Sequence, residues 1–400
     1  MMRHYPITTL FLGTIALTQA IAAEKHYGPG VSDTEIKIGQ TVPYSGPASF
    51  YGPFGLVQQA YYRMLNEQGG VNGRKITLIS LDNGYSPPKA LEAVRELVER
   101  DKVFALAGNF GTLPNIGTKR YLNDAKVPSI FMISGAGQFN DPQHFPWIVP
   151  LLTQFPTEGR MWARYLLATR PRAKIAVLYE DDDLGRDLFS GFRAGLGGTS
   201  DQIVRADNYH TTDPTIDSQI VSLQASGADT ITEFATPKFA GQAARKIYDL
   251  GWRPFQIMSF PAVAGLSALR VPGPEKTTGI VTTEPALDPS DPGLANDADI
   301  MAYKDFVKQH WPSGDPDSNL SMGGYANALL FTEVLRRCGD ELTREHLLDV
   351  VTHLHGAHLL GGFPGTSINY SPTDYDALKH FQLFRWDGKQ LVAFGNLIND

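Results

Sequence analysis

The residues with the clearest chemical potential lie in a loop that follows a short apolar run. Val103–Ala107 is apolar throughout, Gly108–Thr112 contains two glycines, and Pro114 follows. Such a run is typical of a buried parallel strand, and proline is favoured in the first turn of a helix, where its missing N–H costs nothing. The helix start leaves N–H groups unpaired, and these can bind an anion such as a carboxylate. An ordinary strand-to-helix connection explains the same corner. This loop alone therefore does not establish an anion site, and the rest of the sequence has to be considered.

A second glycine-containing loop, Gly135–Asn140, follows the apolar segment that ends at Ser134. It resembles the start of a dinucleotide-binding loop, but the third glycine is absent and Pro142 interrupts the next helix. No acidic residue is placed to bind a ribose. The loop therefore favours an anion smaller than a nucleotide, bound by backbone N–H groups.

Aromatic residues cluster near the predicted ends of strands. In a cleft such side chains would enclose a flat or apolar ligand, an arrangement typical of small-molecule sites. The alternative is that about half of them belong to the hydrophobic core. These residues are Tyr44, Phe50, Tyr51, Phe54, Phe110, Phe234 and Phe260.

Motifs for catalysis are absent from the sequence. It contains no Gly-x-Ser-x-Gly, no His-Glu-x-x-His and no phosphate-binding loop, and Ser134 has no histidine in a recognisable relation to it. We therefore predict that the protein is not an enzyme and requires no cofactor.

The histidines and the acidic loop that could bind a metal ion are better explained as ordinary structural features. His353 and His355 would point to different faces of a helix, and no cysteine or carboxylate near His358 has a suitable spacing. The acidic loop 288–299 lacks the ligand alternation and central glycine of a calcium loop. We predict no metal site.

A run of three aspartates, Asp181–Asp183, is expected to form a turn that caps a helix over 186–196. Because the turn follows a strand, it should lie near the carboxyl edge of a sheet, and Asp183 is therefore a candidate ligand-binding residue. The sequence leaves open whether this turn faces the ligand, solvent or a cation.

The net charge of -7 argues against nucleic acid as a partner, because phosphate contacts require clustered basic residues. At the N-terminus, Arg3 and His4 precede the apolar stretch Ile7–Leu17, and small residues follow at Ala20–Ala23. This pattern predicts a signal peptide over 1–23 and an exported mature protein. Cys338 is the only cysteine, so no lipid-anchoring cysteine stands at the cleavage site, and we expect the Cys338 thiol to pack at a helix end.

Strands and helices are predicted to alternate along most of the chain, which indicates parallel sheets covered by helices. The predicted strands are 35–42, 75–81, 103–107, 128–134, 174–179, 202–209, 229–234, 255–259 and 278–283, with a closing hairpin at 380–386 and 390–394. The predicted helices are 54–66, 88–100, 114–125, 157–168, 186–196, 215–225, 238–250, 300–310, 323–338 and 342–353.

The pattern restarts after Pro150, so we predict an α/β protein with two doubly wound parallel-sheet lobes. The N-terminal lobe would comprise 24–149 and 283–361, and the C-terminal lobe 150–282 and 362–400. The chain would then cross between lobes near 148–152, 277–285 and 361–370, which makes a hinge that can close on a ligand.

Several of these segments make the chain similar to one family. It resembles the type I periplasmic solute-binding proteins, specifically the leucine/isoleucine/valine-binding family of ABC importers. The resemblance covers the whole mature chain and is clearest at Ile36–Pro47, Phe50–Gly52, Asn66–Lys75, Ile175–Tyr179 and Asp183–Gly185. It implies a monomer with two lobes that close over an organic acid or amino acid. It also implies an inner-membrane ABC permease and ATPase as partners.

The resemblance also implies positions for the ligand. In that family, two loops of the first lobe hold the ligand carboxylate, an aromatic residue lies against the ligand, and a loop of the second lobe completes the site. Carried over by position, these residues are Gly111, Thr112, Ser134, Ala136 and Gln138 for the carboxylate, Tyr51 for the aromatic, and Ala235, Thr236 and Pro237 for the second lobe.

One position departs from the family pattern. Amino-acid binders of this family place an acid after the strand that ends here at Met258, whereas this chain has Ser259-Phe260-Pro261. Desolvating an ammonium group without a carboxylate partner is costly. We therefore predict a carboxylate with an aromatic or apolar body, stacked by Tyr51, Phe110 and Phe260.

Three alternatives remain at this stage. The first is a transport receptor for branched-chain or other amino acids or amides. The second is an exported ligand sensor that works with a signalling protein. The third is a cleft enzyme, which would require a histidine and a nucleophile that no motif indicates.

Overall fold

The computed structural model describes Met1 and residues 25–399. The predicted signal peptide, 1–23, therefore lies outside the described residues apart from Met1. In the part that is described, no helix combines the length and the apolar character needed to cross a membrane.

The first sheet is entirely parallel and is formed by the N-terminal part of the chain. Its strand order is β3-β2-β4-β5-β6, with Gly39 of β2 opposite both Ile79 of β3 and Leu106 of β4. Its strands are β2 (Glu35–Val42), β3 (Lys75–Asp82), β4 (Ala105–Ala107), β5 (Ser129–Met132) and β6 (Ile148–Pro150). The helices that connect them are α1 (Pro53–Glu67), α2 (Pro87–Arg95) and α3 (Thr112–Asp124), and a π-helical turn, Glu96–Arg100, follows α2.

The second sheet is mixed and takes strands from two separate parts of the chain. Its order is β14-β13-β11-β10-β9-β7-β8, and β13 and β14 are its antiparallel members. Its strands are β7 (Ile175–Glu180), β8 (Ile203–Tyr209), β9 (Thr230–Phe234), β10 (Phe255–Met258), β11 (Val281–Glu284), β13 (His380–Trp386) and β14 (Leu391–Asn399). A separate short pair joins β1 (His26–Tyr27) to β12 (Glu341–Leu342).

The remaining helices cover the sheets. Those of the second sheet are α4 (Phe155–Thr169), α5 (Asp183–Leu196), α6 (Asp217–Ala225), α7 (Pro237–Asp249), α8 (Phe260–Val263), α9 (Ser267–Arg270) and α10 (Pro274–Thr277). Three further helices follow β11, namely α11 (Ala298–His310), α12 (Asn319–Cys338) and α13 (Arg344–Thr352). Because helices cover both faces of each parallel region, all residues of β4 and β9 are buried.

Helices α4 and α5 pack with their backbones in contact. A Cβ atom on Gly191 of α5 would collide with the carbonyl oxygen of Pro156 in α4, and one on Gly159 of α4 would collide with the carbonyl oxygen of Leu188. Only glycine permits an approach this close, so these two positions fix the distance between the helices.

Helix α12 completes the first sheet rather than starting a third layer. Gly324 faces the backbone of Phe54 in α1, and the Asn327 amide donates a hydrogen bond to the carbonyl of Phe131 at 2.8 Å. The thiol of Cys338 is buried at the end of this helix. The C-terminal hairpin, in contrast, joins the second sheet through β11.

The alternation of strands and helices is confirmed, with some corrections at the ends of elements. Helix α5 begins at Asp183 instead of 186, because Asp182 accepts hydrogen bonds from the Leu184 and Gly185 amides and caps the helix. Helix α3 begins at Thr112 instead of Pro114. The strand predicted over 278–283 is shifted to Val281–Glu284, which runs through the predicted lobe boundary at 282/283. The lobe limits and the three crossovers stay predictions.

Candidate functional site

A largely apolar cavity lies where the carboxyl ends of the two sheets face each other. Its volume is about 170 Å³, and an apolar cavity of roughly 150 Å³ accommodates a benzene ring. Six of the twelve residues that the sequence predicted for the ligand line it, and the structure therefore brings together Tyr51, Phe110, Gly111, Thr112, Ser134 and Phe260.

One wall of the cavity is a cluster of aromatic rings. The ring of Phe110 lies 4.5 Å from that of Tyr51 and 5.1 Å from that of Phe54, measured between centroids. On the other side, Phe260 packs 6.1 Å from Phe155. Phe234, in contrast, is fully buried away from the cavity, so only some of the aromatic residues singled out in the sequence belong to the site.

Two hydroxyl groups form a polar corner on the first-sheet side. The Oγ1 atom of Thr112 lies 2.9 Å from the Oγ atom of Ser134, and either can be the donor. Thr112 is the first residue of α3, so the corner coincides with a helix N-terminus, where the helix dipole favours an anion. This corner can hold a carboxylate without a cationic side chain.

Gly111 supplies the turn into this corner. Its φ of 110° lies in the region that favours glycine, and a Cβ atom would approach the Tyr85 ring to 2.8 Å. Its N–H donates to the carbonyl of Ile133 at 3.1 Å and is therefore already paired. The expectation that this N–H binds the ligand is not supported by that geometry.

The six remaining predicted residues lie outside the cavity lining, and two of them, Ala235 and Pro237, are buried between β9 and the first turn of α7. Ala136 is buried, and its N–H donates to the Ser134 hydroxyl at 3.2 Å. Thr236 is also buried, and its hydroxyl donates to the Glu180 carboxyl at 2.8 Å. Both are therefore held by other protein groups instead of facing the cavity.

Gln138 and Asp183 bind each other. The Nε2 atom of Gln138 donates to the Asp183 carboxylate at 2.6 Å, and the neighbouring Gly137 N–H donates to the Asp187 carboxylate at 2.7 Å. These two bonds connect the loop after β5 to the start of α5. They form a clamp between the parts of the chain that build the two sheets, which we call the α5 clamp.

The other two aspartates of the Asp181–Asp183 run also have protein partners. Asp181 accepts a hydrogen bond from the Arg186 guanidinium at 2.9 Å, while Asp182 caps α5. None of the three lines the cavity. Within residues 25–399, no group of three or more His, Cys, Asp or Glu side chains could hold a metal ion.

The sequence did not indicate Glu284, a carboxyl group in the cavity lining. Glu284 is the last residue of β11 and is 7% exposed, and Asn319 donates a hydrogen bond to it at 3.4 Å. Burial raises its pKa well above the ordinary range, and the neighbouring Asp288 and Glu158 raise it further. The absence of an acid after β10 therefore does not exclude a carboxyl group elsewhere in the lining. This carboxyl group stands at the end of the next strand, and a glutamate directly after the run Val281–Thr283 was the available signal in the sequence.

Glu158 positions Phe260 from behind the cavity. Its Oε1 atom accepts hydrogen bonds from the Phe260 N–H, the Thr283 hydroxyl and the Trp162 indole at 2.8, 2.7 and 3.1 Å. Burial raises the pKa of Glu158 to about 7, although these bonds act in the opposite direction. The protonated acid can thus persist at neutral pH.

Two further buried acids, Glu180 and Asp182, lie behind the lining. Tyr209 donates to Glu180 at 2.7 Å, and burial together with the Asp182 charge raises the pKa of Glu180 to about 8. The lining itself contains no lysine, arginine or histidine among the residues that the structure describes. An anion in this cavity would therefore have to be held by hydroxyl and backbone donors.

Comparison with known families gives one match over most of the chain. A family model described as "Periplasmic binding protein" matches residues 35–390. Among curated relatives, the leucine-specific-binding protein of Salmonella typhimurium (strain LT2) is 24% identical over 310 residues, which is 76% of this chain and 79% of the relative.

Solved structures share the fold over nearly the full length. A branched-chain amino acid ABC transporter protein from Thermus thermophilus with bound valine has a TM-score of 0.80 at 16% identity, with 92% of this chain and 98% of that chain covered. A solute-binding protein of an ABC transporter from Rhodopseudomonas palustris BisB5, in complex with 3,4-dihydroxybenzoic acid, has a TM-score of 0.76 at 19% identity, covering 91% and 97%.

Proposed function

This chain belongs to the periplasmic binding protein family, as a substrate-binding protein of the branched-chain amino acid type of ABC transport, and we propose that its ligand is a small organic acid with an aromatic or apolar body. The monomeric protein would close its two lobes over this acid in the periplasm. It would then deliver the acid to an inner-membrane permease driven by an ATPase. No bond is made or broken in this process.

The composition of the cavity wall is the observation that carries this proposal. Aromatic and aliphatic side chains form most of the lining, and a hydroxyl pair at the start of α3 forms one polar corner. Burial of a flat apolar body between Tyr51, Phe110 and Phe260 supplies affinity, and the hydroxyl pair fixes the orientation of the carboxylate.

An amino acid is the second candidate ligand, and Glu284 is the observation that favours it. A buried carboxyl group in the cavity could pair with a ligand ammonium. The names of the leucine-specific relative and of the valine-bound structure agree with this alternative for those proteins.

A thermal-shift screen of the mature protein distinguishes the two ligand classes. A ligand at 100 times its Kd adds about 2.7 kcal/mol of stability, which is readily measured. We expect a shift with benzoate-type acids and none with leucine or valine at equal concentration. A shift with leucine or valine alone would reject the aromatic-acid proposal and support the amino-acid alternative.

A further inference from the structure

The polar group at the second-sheet side of the cavity consists of Glu284 and Asn319. Glu284 ends β11 and Asn319 begins α12, so two elements converge at this point of an otherwise apolar wall. The Asn319 Oδ1 atom accepts a hydrogen bond from the Gly265 N–H at 3.1 Å, which orients its Nδ2 atom toward Glu284. The Asn319 amide is thus oriented as a donor toward the carboxyl group before any ligand arrives.

The charged groups around Glu284 are predominantly acidic. Asp288, in the loop after β11, and Glu158 on α4 both act on it electrostatically. Arg270 on α9 acts on Asp288, and no cation lines the cavity among the described residues. Among the described residues, a negative charge on Glu284 would therefore have no cationic partner in the cavity lining.

A carboxylate ligand would make an ionised Glu284 still less favourable. If both the ligand and Glu284 were ionised, two negative charges would share one dry cavity, and one of the two groups would have to hold a proton. The ligand carboxylate has the hydroxyl pair and the helix N-terminus at its disposal, whereas Glu284 has only a weak contact from Asn319. Glu284 is the group that keeps the proton.

We propose that Glu284 acts as a neutral carboxylic acid that hydrogen bonds, together with Asn319, to an uncharged oxygen of the ligand. The inference rests on the proposed function and narrows it. The ligand class becomes aromatic acids with a hydroxyl or carbonyl group away from the carboxylate, and acids with an ammonium group at that place are rejected. Glu284 is then a specificity-determining residue.

Three para-substituted benzoates test this choice with the same ring and carboxylate and a methyl, hydroxyl or ammonium-bearing substituent. These probes are 4-methylbenzoate, 4-hydroxybenzoate and 4-(aminomethyl)benzoate, titrated calorimetrically into the full mature protein. We expect 4-hydroxybenzoate to bind about tenfold more tightly than 4-methylbenzoate, because it satisfies the buried polar pair. The aminomethyl compound should bind most weakly. If it binds most tightly, Glu284 is an ionised partner for a cation and the inference is overturned.

The Glu284→Gln substitution tests whether ligand binding needs the neutral or the ionised form of Glu284. Glutamine keeps the shape and hydrogen-bonding ability of a neutral acid, so we expect the Kd for 4-hydroxybenzoate to change by less than about threefold. If the ionised form were needed, the same change would cost about 100-fold. Glu233→Gln is the matched control, because Glu233 is buried in β9 and lies outside the cavity lining.

The pH dependence of the wild type provides a readout that requires no variant. As pH rises through the raised pKa of Glu284, the proton is lost and affinity for 4-hydroxybenzoate should fall. The measurement stays below about pH 8, so that the phenol remains protonated. A smaller pH dependence in the Glu284→Gln protein than in the wild type supports the assignment, because Glu158 still titrates there, and an unchanged pH dependence rejects it.

These outcomes separate the inference from the proposed function. If the benzoates bind with no preference for the hydroxyl, Glu284 has no role in specificity while the aromatic-acid receptor stands. If none of the three binds and an aliphatic amino acid does, both the proposed ligand class and the inference are rejected.

Discussion

The hydroxyl of Thr112 makes the proposed carboxylate contact that a single substitution can remove. Thr112→Val keeps the shape of the side chain and deletes the oxygen that lies 2.9 Å from Ser134. Loss of a hydrogen bond to a charged group costs about 1.5–3 kcal/mol, so we expect the Kd for the acid to rise about 10- to 100-fold. Calorimetry measures the change.

Thr118→Val is the matched control for this substitution. Thr118 lies on the same helix and is equally buried, but its hydroxyl donates to the Pro114 and Asn115 carbonyls outside the cavity. We expect ligand affinity to stay within about twofold of the wild type. Equal losses in the two variants would contradict a ligand contact by Thr112.

The raised pKa of Glu158 predicts how the free energy of unfolding depends on pH. Its pKa in the folded protein is about 7, above the ordinary value of 4.5. Between these two pH values the folded state holds a proton that the unfolded chain has lost, so stability decreases as pH rises through this window. The decrease should be on the order of 3 kcal/mol.

Urea denaturation at several pH values tests this expectation. Glu158→Gln should reduce the decrease in unfolding free energy between pH 4.5 and 7, leaving the parts that Glu180, Glu284 and the other buried acids contribute. Glu67→Gln, an exposed position at the end of α1, is the control and should leave the pH profile unchanged. A Glu158→Gln protein with the wild-type slope would show that Glu158 is ionised throughout.

Sequence reasoning found the residues of the first-sheet side better than those of the second. Thr112 and Ser134 follow recognisable apolar strands, so their place at a carboxyl edge could be derived. Glu284 follows a strand whose position was shifted, and its approach to the cavity depends on the start of α12, far along the chain. Local patterns carry no information about such a convergence.

At the level of elements, the close packing of α4 on α5 leads to a prediction about the free energy of unfolding. Gly191→Ala would place a methyl group against the Pro156 carbonyl and push the helices apart. We expect a loss of about 3 kcal/mol, at the upper end for overpacking, because the obstacle is backbone and cannot rotate away. The midpoint of urea unfolding gives the value.

Gly198→Ala is the corresponding control in the segment after α5. A Cβ atom at Gly198 would have no heavy atom within 4 Å, so the substitution should be neutral or slightly stabilising. If Gly191→Ala proved equally harmless, the two helices would have room to separate without cost.

Most elements were predictable because apolar strands alternate with helical segments between recognisable turns. The exceptions share a physical reason, which is that their structure depends on caps or on partners from distant parts of the chain. The α5 start depends on capping by Asp182, and the short helices α8, α9 and α10 have too few turns to give a periodic signal. β1 and β12 consist of two residues each and exist only as partners of each other.

At the level of the whole molecule, the α5 clamp predicts how closure is coupled to affinity. Asp187→Ala removes the acceptor for the Gly137 N–H and so weakens the arrangement in which the two parts of the chain meet. We expect ligand affinity to fall about tenfold, mainly through faster dissociation, because the closed state is less favoured. Stopped-flow dissociation and small-angle scattering would show the change.

Asp181→Ala is the control for the clamp. Asp181 precedes the same helix, but its hydrogen bond goes to Arg186 of α5 itself. Dissociation should remain at the wild-type rate. Faster dissociation in both variants would indicate a general effect of removing acids near α5, not a clamp.

The pairing of β11 with β13 has a consequence for how the chain folds. Val281 lies opposite Arg385, and α11, α12 and α13 all lie between these strands in sequence. Contacts of such long range are formed slowly. During synthesis, β11 keeps an open edge until β13 emerges, and an open edge is a template for aggregation. The chain is therefore vulnerable to misassembly between the synthesis of β11 and that of β13, and docking of the β13–β14 hairpin is a late step of folding.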